Sequence, residues 1–220
     1  MFGKIYKFIL DIIRSSDFLT QVIWRVNIKK KLLAKTYDQT SLVLKKTLYI
    51  YYKVKKKHFA NYLDMGCGQI AILGQYQKII NPETNVTSTD IYKDFLINAE
   101  ENAKANNLDI KFVNSNLFEN ITEQYDLITF NPPYVPLSFK KKELLYNKIT
   151  FSGEKGTDTI NQFLQKASEH LKKEGLIFLG VNLYYVPMNS LINIANHYDY
   201  KKVEIIKRFP DKCVVIVLKK

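Results

Sequence analysis

From residue 61 onward, short apolar runs alternate with stretches of helical periodicity, and this alternation is the strongest constraint on how the chain can fold. Parallel strands need long crossover connections, so alternating strands and helices indicate a doubly wound α/β fold with a mostly parallel sheet. The predicted strands cover residues 61–66, 85–91, 110–116, 125–133, 176–183, 201–209 and 211–220, and the predicted helices cover 70–80, 93–107, 158–175 and 188–198. The last two strands look like a hairpin and predict an antiparallel edge strand, which completes a seven-stranded sheet.

The segment before residue 36 has a different character. Apolar side chains of its first 14 residues fall at helical spacing, at Phe2, Ile5, Phe8, Ile9, Ile12 and Ile13. Charged residues interrupt each apolar run, so the segment is too short and too charged for a secretory signal or a membrane span. It is predicted to be an amphipathic helix that docks on the parent domain, on a membrane surface or on a partner. Further helices are predicted from residue 17 to near Lys29 and over 40–57. We therefore divide the chain into a basic helical arm (1–35) and an α/β domain (36–220).

The net charge of +12 is concentrated near the start of the chain. Residues 1–60 hold 14 Lys and Arg against 3 Asp and Glu, whereas the remaining 160 residues hold 19 against 18. A basic segment binds phosphate backbones or anionic lipids, and it steers association in a salt-dependent way. The same charge also suits a solvated helical face in a lysine-rich chain. Both interpretations stay open at this stage, and the oligomeric state cannot be inferred.

Cysteine and histidine usage predicts neither a disulfide framework nor a metal site. Cys67 and Cys213 lie far apart and have no metal-ligand spacing. With no leader predicted before them, they suit a reducing compartment, and we expect a cytoplasmic protein. The histidines at positions 58, 170 and 197 have no partners at ligand spacing, so no metal site is predicted.

Polar residues and glycines stand at the ends of four successive predicted strands. In a doubly wound sheet, ligands bind outside the carboxyl ends of the strands, near the point where strand order reverses. The first strand leads into Asp64, Gly66 and Gly68, where glycines allow a ligand to approach the backbone closely. Asp90 ends the second strand, in a position that suits acceptance from ribose hydroxyls, although it is also a candidate helix cap. Asn116 follows the third strand and can meet an adenine edge.

The fourth of these strands runs into the turn TFNPPYVP, residues 129–136. Pro132 and Pro133 fix two φ angles and remove two N–H donors, so the turn belongs to neither a helix nor a sheet interior. Its remaining hydrogen-bonding capacity is mostly carbonyl and amide oxygen, which a group outside the backbone can use. The alternative is a proline turn that only terminates a strand.

These motifs carry a family resemblance. LDMGCG (63–68), Asp90, NSNLF (114–118) and FNPPYVP (130–136), in this order and spacing, resemble the S-adenosylmethionine-dependent methyltransferases of the NPPY group, which have a Rossmann-like fold. Within that group the chain is most similar to release-factor glutamine methyltransferases. They carry a Thr-containing stretch like TYDQTSLVL (36–44), and a GGxDG segment that SGEKGTD (152–158) echoes through Gly153 and Gly156.

The resemblance implies the site. It assigns S-adenosylmethionine binding to Asp64, Gly66, Cys67, Gly68, Asp90, Ile91, Asn116, Leu117 and Asn131. It assigns catalysis to Asn131, Pro132 and Tyr134, and substrate contacts to Thr40, Pro133 and Tyr134. Because the sulfonium methyl is already activated, the acceptor nitrogen is the difficulty. Asn131 Oδ1 and the Pro132 carbonyl would each accept an N–H of a planar amide, and Tyr134 would offer a flat face.

The chain departs from the family pattern in three places, two that bear on cofactor binding and one that bears on the substrate. Ile70 stands where the family loop usually has a third glycine, and Asn116 stands where it has an aspartate. The substrate-reading helical domain of the bacterial members is replaced by the basic arm. We therefore expect an N-methyltransferase that acts on a protein glutamine side chain. The alternatives are an RNA or DNA base methyltransferase that grips phosphates with its arm, and a small-molecule methyltransferase or non-catalytic cofactor-binding protein. Lys140, Lys141 and Lys142 would guide an acidic substrate or solvate a lid.

Overall fold

The computed structural model describes residues 2–33, 35–139, 149–208 and 212–220, and Lys140–Lys142 lie outside these ranges. The strands in this part of the chain are β1 (Asn61–Met65), β2 (Asn85–Asp90), β3 (Lys111–Asn114), β4 (Tyr125–Phe130), β5 (Leu171–Asn182), β6 (Lys201–Lys207) and β7 (Cys213–Lys219). The helices are α1 (Phe2–Ser15), α2 (Asp17–Trp24), α3 (Gln39–Tyr49), α4 (Ile72–Ile80), α5 (Lys93–Ala105), α6 (Asp158–Ala167) and α7 (Met188–His197).

The strands form a single seven-stranded sheet in the order β3-β2-β1-β4-β5-β7-β6. Neighbouring strands from β3 to β5 pair in parallel, whereas β7 pairs antiparallel with both β5 and β6. The predicted doubly wound, mostly parallel fold with an antiparallel pair at one edge is confirmed, and β7 lies one position in from that edge. Strand order reverses between β1 and β4, which places the ligand crevice of such a fold outside their carboxyl ends.

Side chains that alternate along the strands fill a core on each face of the sheet. Leu63 and Ile128 belong to one core cluster, while their neighbours Tyr62 and Leu127 belong to the other, and all four are fully buried. Residues of α6 and α7 cover the first face, and residues of α3 and α4 cover the second. This burial on both sides explains why the central strands read as continuous apolar runs in the sequence.

Two predicted helices end earlier than expected. The helix predicted over 158–175 ends at Ala167, and β5 already begins at Leu171. Leu171 pairs with Tyr125 of β4, so sheet pairing overrides the good helix formers in this stretch. The helix predicted over 40–57 ends at Tyr49 and continues only as a short π-helical turn, Ile50–Val54.

The second helix of the arm ends at Trp24 instead of near Lys29. Arg25 adopts the left-handed conformation (φ 60°) and donates its N–H to the Gln21 carbonyl, which closes the helix. The chain then continues without regular structure over residues 26–33, a segment that we call the strap. Side-chain amides of the α/β domain supply hydrogen bonds to the strap backbone.

Three asparagines spaced four residues apart, Asn98 and Asn102 on α5 and Asn106 at its C-cap, bind the strap through its peptide groups. Asn106 Oδ1 accepts from the N–H of Asn27 at 2.7 Å, and its Nδ2 donates to the Asn27 carbonyl at 2.8 Å. Asn102 makes the corresponding pair with the Lys29 N–H and the Lys30 carbonyl, both at 2.8 Å. Asn98 Nδ2 also donates to the Lys30 carbonyl, at 3.1 Å. The strap is therefore held by an asparagine ladder.

The arm also contributes to the core. Trp24 and Val26 are fully buried in the same cluster as Tyr76 of α4, and the Trp24 and Tyr76 rings meet edge to face with centroids 5.8 Å apart. The division of the chain at residues 35 and 36 stays a prediction, and this packing ties the end of α2 to the α/β domain. Within the described ranges, none of the helices combines the length and the apolar character needed to cross a bilayer.

Candidate active site

The register of the parallel strands brings the predicted site residues to one edge of the sheet. Met65 of β1 pairs with Thr89 of β2 and with Phe130 of β4. The next residues along these three strands are Gly66, Asp90 and Asn131, so they lie side by side at the carboxyl edge. This edge includes the point between β1 and β4 where strand order reverses.

The glycine loop after β1 requires glycine for conformational reasons. Gly66 and Gly68 both have positive φ angles, 63° and 68°. A Cβ added to Gly68 would meet no atom within 4 Å, so the loop faces open space at this point. Ile70, at the third glycine position of the family, is buried in the core cluster beneath the loop. The side chain at this position therefore packs in the core and leaves the open face at Gly68 unobstructed.

Asp64 lies beneath this loop and binds two neighbouring elements. Its Oδ2 accepts from the Gly74 N–H of α4 at 3.0 Å, and its Oδ1 accepts from the Thr129 hydroxyl of β4 at 3.3 Å. The residue is 2% exposed. Burial raises the pKa of Asp64 to about 7, against the opposing effect of these two hydrogen bonds. The contacts of Asp64 link β1, β4 and α4, and its predicted role in cofactor binding stays a prediction.

Asp90 and Ile91 form the part of the site that suits a nucleoside. The Asp90 carboxylate accepts from the Gly68 N–H at 2.9 Å and from the Tyr92 N–H at 3.0 Å. Each carboxylate oxygen has a second lone pair, so the group can still accept from two hydroxyls. The Ile91 side chain next to it is 54% exposed and provides an apolar surface at the carboxyl edge of the sheet. Burial is the main cause of a raised Asp90 pKa, which these N–H bonds oppose.

The loop after β3 lies next to Asp90. The Ser115 N–H donates to the Asp90 carbonyl at 3.1 Å. Asn116 is exposed, and its Nδ2 donates to Glu119 Oε1 at 2.8 Å, which leaves Oδ1 to accept from a ligand. Leu117 has a positive φ of 50° and packs partly against the core. The open Gly68 face, the Asp90 acceptors and the exposed Ile91 therefore fit the adenosine part of S-adenosylmethionine.

Asn131 has a defined amide orientation. Its Nδ2 donates to Asp38 Oδ1 at 3.1 Å and to Ser41 Oγ at 3.4 Å. Because a carboxylate only accepts hydrogen bonds, the Nδ2 side of the amide must face Asp38. Asn131 Oδ1 is then directed away from Asp38, and it is buried without a partner among the described residues. A buried acceptor without a donor costs about 1–3 kcal/mol, so this oxygen favours a ligand that brings an N–H.

Tyr134, the last residue of the Asn-Pro-Pro-Tyr turn, is bound to the same region of α3 as Asn131. It is 8% exposed, and its hydroxyl lies 2.8 Å from Thr40 Oγ1 and 3.2 Å from Asp38 Oδ2. Burial, followed by the charge of Asp38, raises the pKa of Tyr134 well above its ordinary value, so the hydroxyl keeps its proton and donates to Asp38. Thr40 is fully buried and reaches the site through Tyr134. Its predicted substrate contact stays a prediction, and these contacts favour an indirect role.

The segment containing Gly153 and Gly156 packs directly on the Asn-Pro-Pro-Tyr turn. Val135 N–H donates to the Thr150 carbonyl at 2.9 Å, and Ser152 N–H donates back to the Val135 carbonyl at 3.0 Å. Gly156 has a φ of 71°, and a Cβ there would lie 2.3 Å from the Tyr134 carbonyl oxygen. Only glycine fits this approach, so packing against the turn explains Gly156, whereas Gly153 (φ 62°) approaches the Asp158 side chain.

Two residues of this region were missed by sequence reasoning. Asp38 begins a capping box of the form Asp-x-x-Ser, a helix-start signal that indicates only the local cap. Gln69 follows the glycine loop, and its Oε1 accepts from the N–H groups of Leu32 and Leu33, while its Nε2 donates to the Leu33 carbonyl at 3.0 Å. These contacts join residues more than 30 positions apart, so no local pattern predicts them.

Comparisons with known proteins agree with this geometry. The family model described as the methyltransferase small domain matches residues 34–204. A Methanocaldococcus jannaschii protein, provisionally named a protein N5-glutamine methyltransferase, is 35% identical over 156 residues, which cover 68% of this chain and 74% of that protein. The release factor glutamine methyltransferase of Streptococcus pneumoniae is 34% identical over 125 residues, which cover 54% of this chain. This chain spans only 44% of the length of that bacterial relative.

The fold agrees with solved structures. A 16S rRNA N2 methyltransferase of T. thermophilus, solved with S-adenosylmethionine and guanosine, superposes with a TM-score of 0.60 at 18% identity. The match covers 84% of this chain and 43% of that one, and it supports the fold alone. The family model covers most of the chain and includes the glycine loop, Asp90 and the Asn-Pro-Pro-Tyr turn. The chain is therefore an enzyme of the methyltransferase small domain family.

Proposed function

We propose that this protein transfers a methyl group from S-adenosylmethionine to the side-chain amide nitrogen of a glutamine in a protein. The observation that carries the proposal is the Asn131 amide. Its Nδ2 is bound by Asp38, and its Oδ1 lies buried at the carboxyl end of β4, where no donor reaches it from the part of the chain that the structure describes. That oxygen is suited to accept one N–H of a planar amide group.

The residues divide the work as follows. Asp90 accepts hydrogen bonds from the ribose hydroxyls, and the loop over 66–68 lets the backbone approach the cofactor. Asn131 Oδ1 and the Pro132 carbonyl accept the two N–H groups of the acceptor amide, which holds its nitrogen in line with the methyl carbon. Bound S-adenosylmethionine supplies an electrophilic methyl on a positively charged sulfur. Both oxygens would stabilise the positive charge that develops on the nitrogen as the N–CH3 bond forms and the S–CH3 bond breaks. S-adenosylhomocysteine is the leaving group, and the methylated nitrogen loses one proton to solvent.

The pyrrolidine rings of Pro132 and Pro133 keep this turn in place with little entropy left to lose on binding. The Tyr134 hydroxyl is bound to Asp38 and lies against Thr40, and in this proposal its ring would offer a flat face to the acceptor amide. Ile91 and Leu117 contact the adenine, and Asn116 Oδ1 accepts from its amino group. Cys67 lines the cofactor through its backbone.

The names of the two curated relatives support glutamine as the acceptor, since both are glutamine methyltransferases by name. We place the reaction in the cytoplasm, on a protein substrate. A nucleic-acid base is the second candidate, favoured by 14 Lys and Arg against 3 Asp and Glu in residues 1–60. An exocyclic base amine presents the same planar NH2 group to Asn131.

One labelling experiment separates these acceptors. The protein is incubated with methyl-labelled S-adenosylmethionine and cell extract, and the macromolecular fraction is digested with protease or with nuclease. Release of label by protease alone, followed by mass spectrometry that places the methyl group on glutamine, supports the proposal. Release by nuclease alone would replace it with the nucleic-acid alternative. The Asn131→Ala protein is the matched control for label transferred by extract enzymes.

A further inference from the structure

Asp38 connects the first turn of α3 to both ends of the Asn-Pro-Pro-Tyr turn. As the N-cap of α3, it accepts at Oδ1 from the Ser41 N–H at 2.8 Å and from the Ser41 hydroxyl at 2.9 Å. Its own N–H lies 3.4 Å from Ser41 Oγ, which completes a capping box. These capping bonds fix the Asp38 carboxylate at the start of α3. Its contacts with Asn131 and Tyr134 are additional to them.

The same carboxylate binds two residues that are more than 90 positions away. Oδ1 accepts from Asn131 Nδ2 at 3.1 Å, and Oδ2 accepts from the Tyr134 hydroxyl at 3.2 Å. A helix cap needs one oxygen only. Ser16, the N-cap of α2, makes a single 3.3 Å side-chain bond to the Leu19 N–H, a cap without these added contacts. The use of Oδ2 by Tyr134 is therefore additional to capping.

We propose that Asp38 is the positioning residue of methyl transfer, because it sets the direction of the Asn131 amide and anchors Tyr134. This inference rests on the proposed function, in which Asn131 Oδ1 accepts from the substrate. Without an obligate acceptor on the Nδ2 side, the Asn131 amide can rotate by half a turn and present a donor to an N–H group. After such a rotation, Asn131 Nδ2 would face the N–H of the acceptor amide, and the hydrogen bond to Oδ1 would be replaced by a repulsion between two donors.

The neighbouring groups reinforce this assignment. Asn131 also donates to Ser41 Oγ at 3.4 Å, so Ser41 lies on the same side of the amide as Asp38. Thr40 Oγ1 lies 2.8 Å from the Tyr134 hydroxyl and 3.4 Å from Cys213 Sγ. Because Tyr134 donates to Asp38, its oxygen can accept from Thr40, whose single hydroxyl proton also lies within reach of Cys213 Sγ. Tyr134 is therefore held by Asp38 and contacted by Thr40.

The test compares Asp38→Asn with the wild-type protein and with Ser16→Ala, which removes the N-cap of α2. Within the described residues Ser16 makes no hydrogen bond to the Asn-Pro-Pro-Tyr turn. The Asn131 side-chain amide is observed by NMR in asparagine-labelled protein and assigned by its loss in Asn131→Ala. Initial rates are measured with methyl-labelled S-adenosylmethionine and the protein fraction of cell extract. Affinity for S-adenosylhomocysteine is measured by calorimetry.

We expect Asp38→Asn to shift the Asn131 amide signals and to speed their exchange with water. The saturated rate should fall by about 10- to 100-fold, as for a small misplacement of a reacting group. Affinity for S-adenosylhomocysteine should stay within about twofold, because within the described residues the Asp38 side chain binds Ser41, Asn131 and Tyr134 and makes no hydrogen bond to the glycine loop or Asp90. In the Asn131→Ala background, Asp38→Asn should cost less than about twofold more, since residues that act through each other are not additive. Ser16→Ala should change none of these quantities.

The outcomes separate this inference from the proposed function. Unchanged Asn131 amide signals in a folded Asp38→Asn protein would overturn the inference, and this readout needs no acceptor. Full additivity of the two substitutions would also overturn it, since Asp38 would then act independently of Asn131. Shifted amide signals without any label transfer by the wild type would leave the positioning contact in place and would count against the proposed function alone.

Discussion

Asp90 Oδ2 lies 2.9 Å from the backbone nitrogen of Gly68, so one carboxylate joins the end of β2 to the glycine loop after β1. Asp90→Ala removes this link together with the acceptor proposed for the ribose. We expect binding of S-adenosylhomocysteine to weaken by roughly 1–3 kcal/mol, the cost of losing a charged hydrogen-bond partner. Calorimetry measures the change, with Asp109→Ala, an exposed carboxylate ahead of β3, as the control. Equal affinity in both variants would contradict the ribose assignment.

Asn131→Ala should leave the fold and the affinity for S-adenosylhomocysteine nearly intact. Methyl transfer should fall by about 10²-fold or more, the scale for losing one oriented group in an active site. Label incorporation at saturating S-adenosylmethionine measures the effect, and the melting temperature checks the fold. Full activity in this variant would reduce the turn to a strand terminator.

Asn131→Asp should reveal the neighbouring charge. The new carboxylate would lie about 3 Å from Asp38 Oδ1, the distance that Nδ2 occupies now. Like charges this close raise the pKa of the pair above the unfolded value, so stability is retained at low pH and lost as pH rises through the raised pKa. The melting temperature of this variant, relative to Asn131→Ala, should therefore fall between pH 5 and pH 8. A constant difference across this interval would place the two side chains apart.

Asp64→Asn tests the buried carboxyl beneath the glycine loop. The folded pKa of Asp64 is raised from 3.8 to about 7, so the folded state binds the proton more tightly than the unfolded state. This group's contribution to stability is therefore present below pH 3.8 and is lost as pH rises through 7. Asp64→Asn should gain stability relative to wild type between pH 5 and pH 8, as measured by urea unfolding. A difference that shrinks with rising pH would contradict the burial effect.

Two truncations test how the arm is joined to the domain. A protein that starts at residue 16 lacks α1 only, whereas one that starts at residue 36 also lacks Trp24 and Val26, which are fully buried. The first should keep a melting temperature close to that of the full chain, and the second should lose several degrees or fail to fold. Trp24→Ala should cost about 3–5 kcal/mol. Val22→Ala on the same helix, 62% exposed, is the control.

If the protein that starts at residue 36 folds and binds S-adenosylhomocysteine normally, then residues 1–35 are separable from the α/β domain, as the sequence predicts. In that case the activity of the truncated protein on its macromolecular substrate would report on the basic charge alone.

Asn102→Ala tests the asparagine ladder. Asn102 is fully buried and binds the Lys29 N–H and the Lys30 carbonyl. Its loss should cost about 1–3 kcal/mol and should speed hydrogen exchange at residues 29 and 30 before the rest of the domain is affected. Lys104→Ala, an exposed position on the same helix, should leave exchange of the strap unchanged. Equal protection of the strap in both variants would show that other contacts hold it.

The location of the site was predictable because the fold leaves few choices. Once strands and helices alternate, parallel pairing places the residues after β1, β2 and β4 on one edge, whatever their distance in sequence. Gly66, Asp90 and Asn131 were therefore brought together by topology alone. Gly153 and Gly156 are identified by resemblance, and the structure shows what each approaches: Gly156 lies against the Tyr134 carbonyl, and Gly153 lies against the Asp158 side chain.

The contacts of Asp38 and the end of α6 could not be predicted, because they depend on residues distant in the sequence. The Asp38 capping box has a short-range signal, but its bonds to Asn131 and Tyr134 span more than 90 positions. The early end of the helix at Ala167 was equally hidden, because residues 168–175 favour a helix until β4 offers Leu171 a pairing partner. Long-range pairing of this kind is decided by tertiary structure and overrides local propensity.

The asparagine ladder recognises peptide groups, which every residue type except proline offers in full. Lys29 and Lys30 contribute backbone atoms to the ladder, while their side chains stay exposed. Mutation can therefore change the chemistry displayed along this stretch, one position at a time, without dislodging it. The exposed side chains of the strap can therefore be substituted, by natural mutation or by design, while its backbone stays bound to the same asparagines.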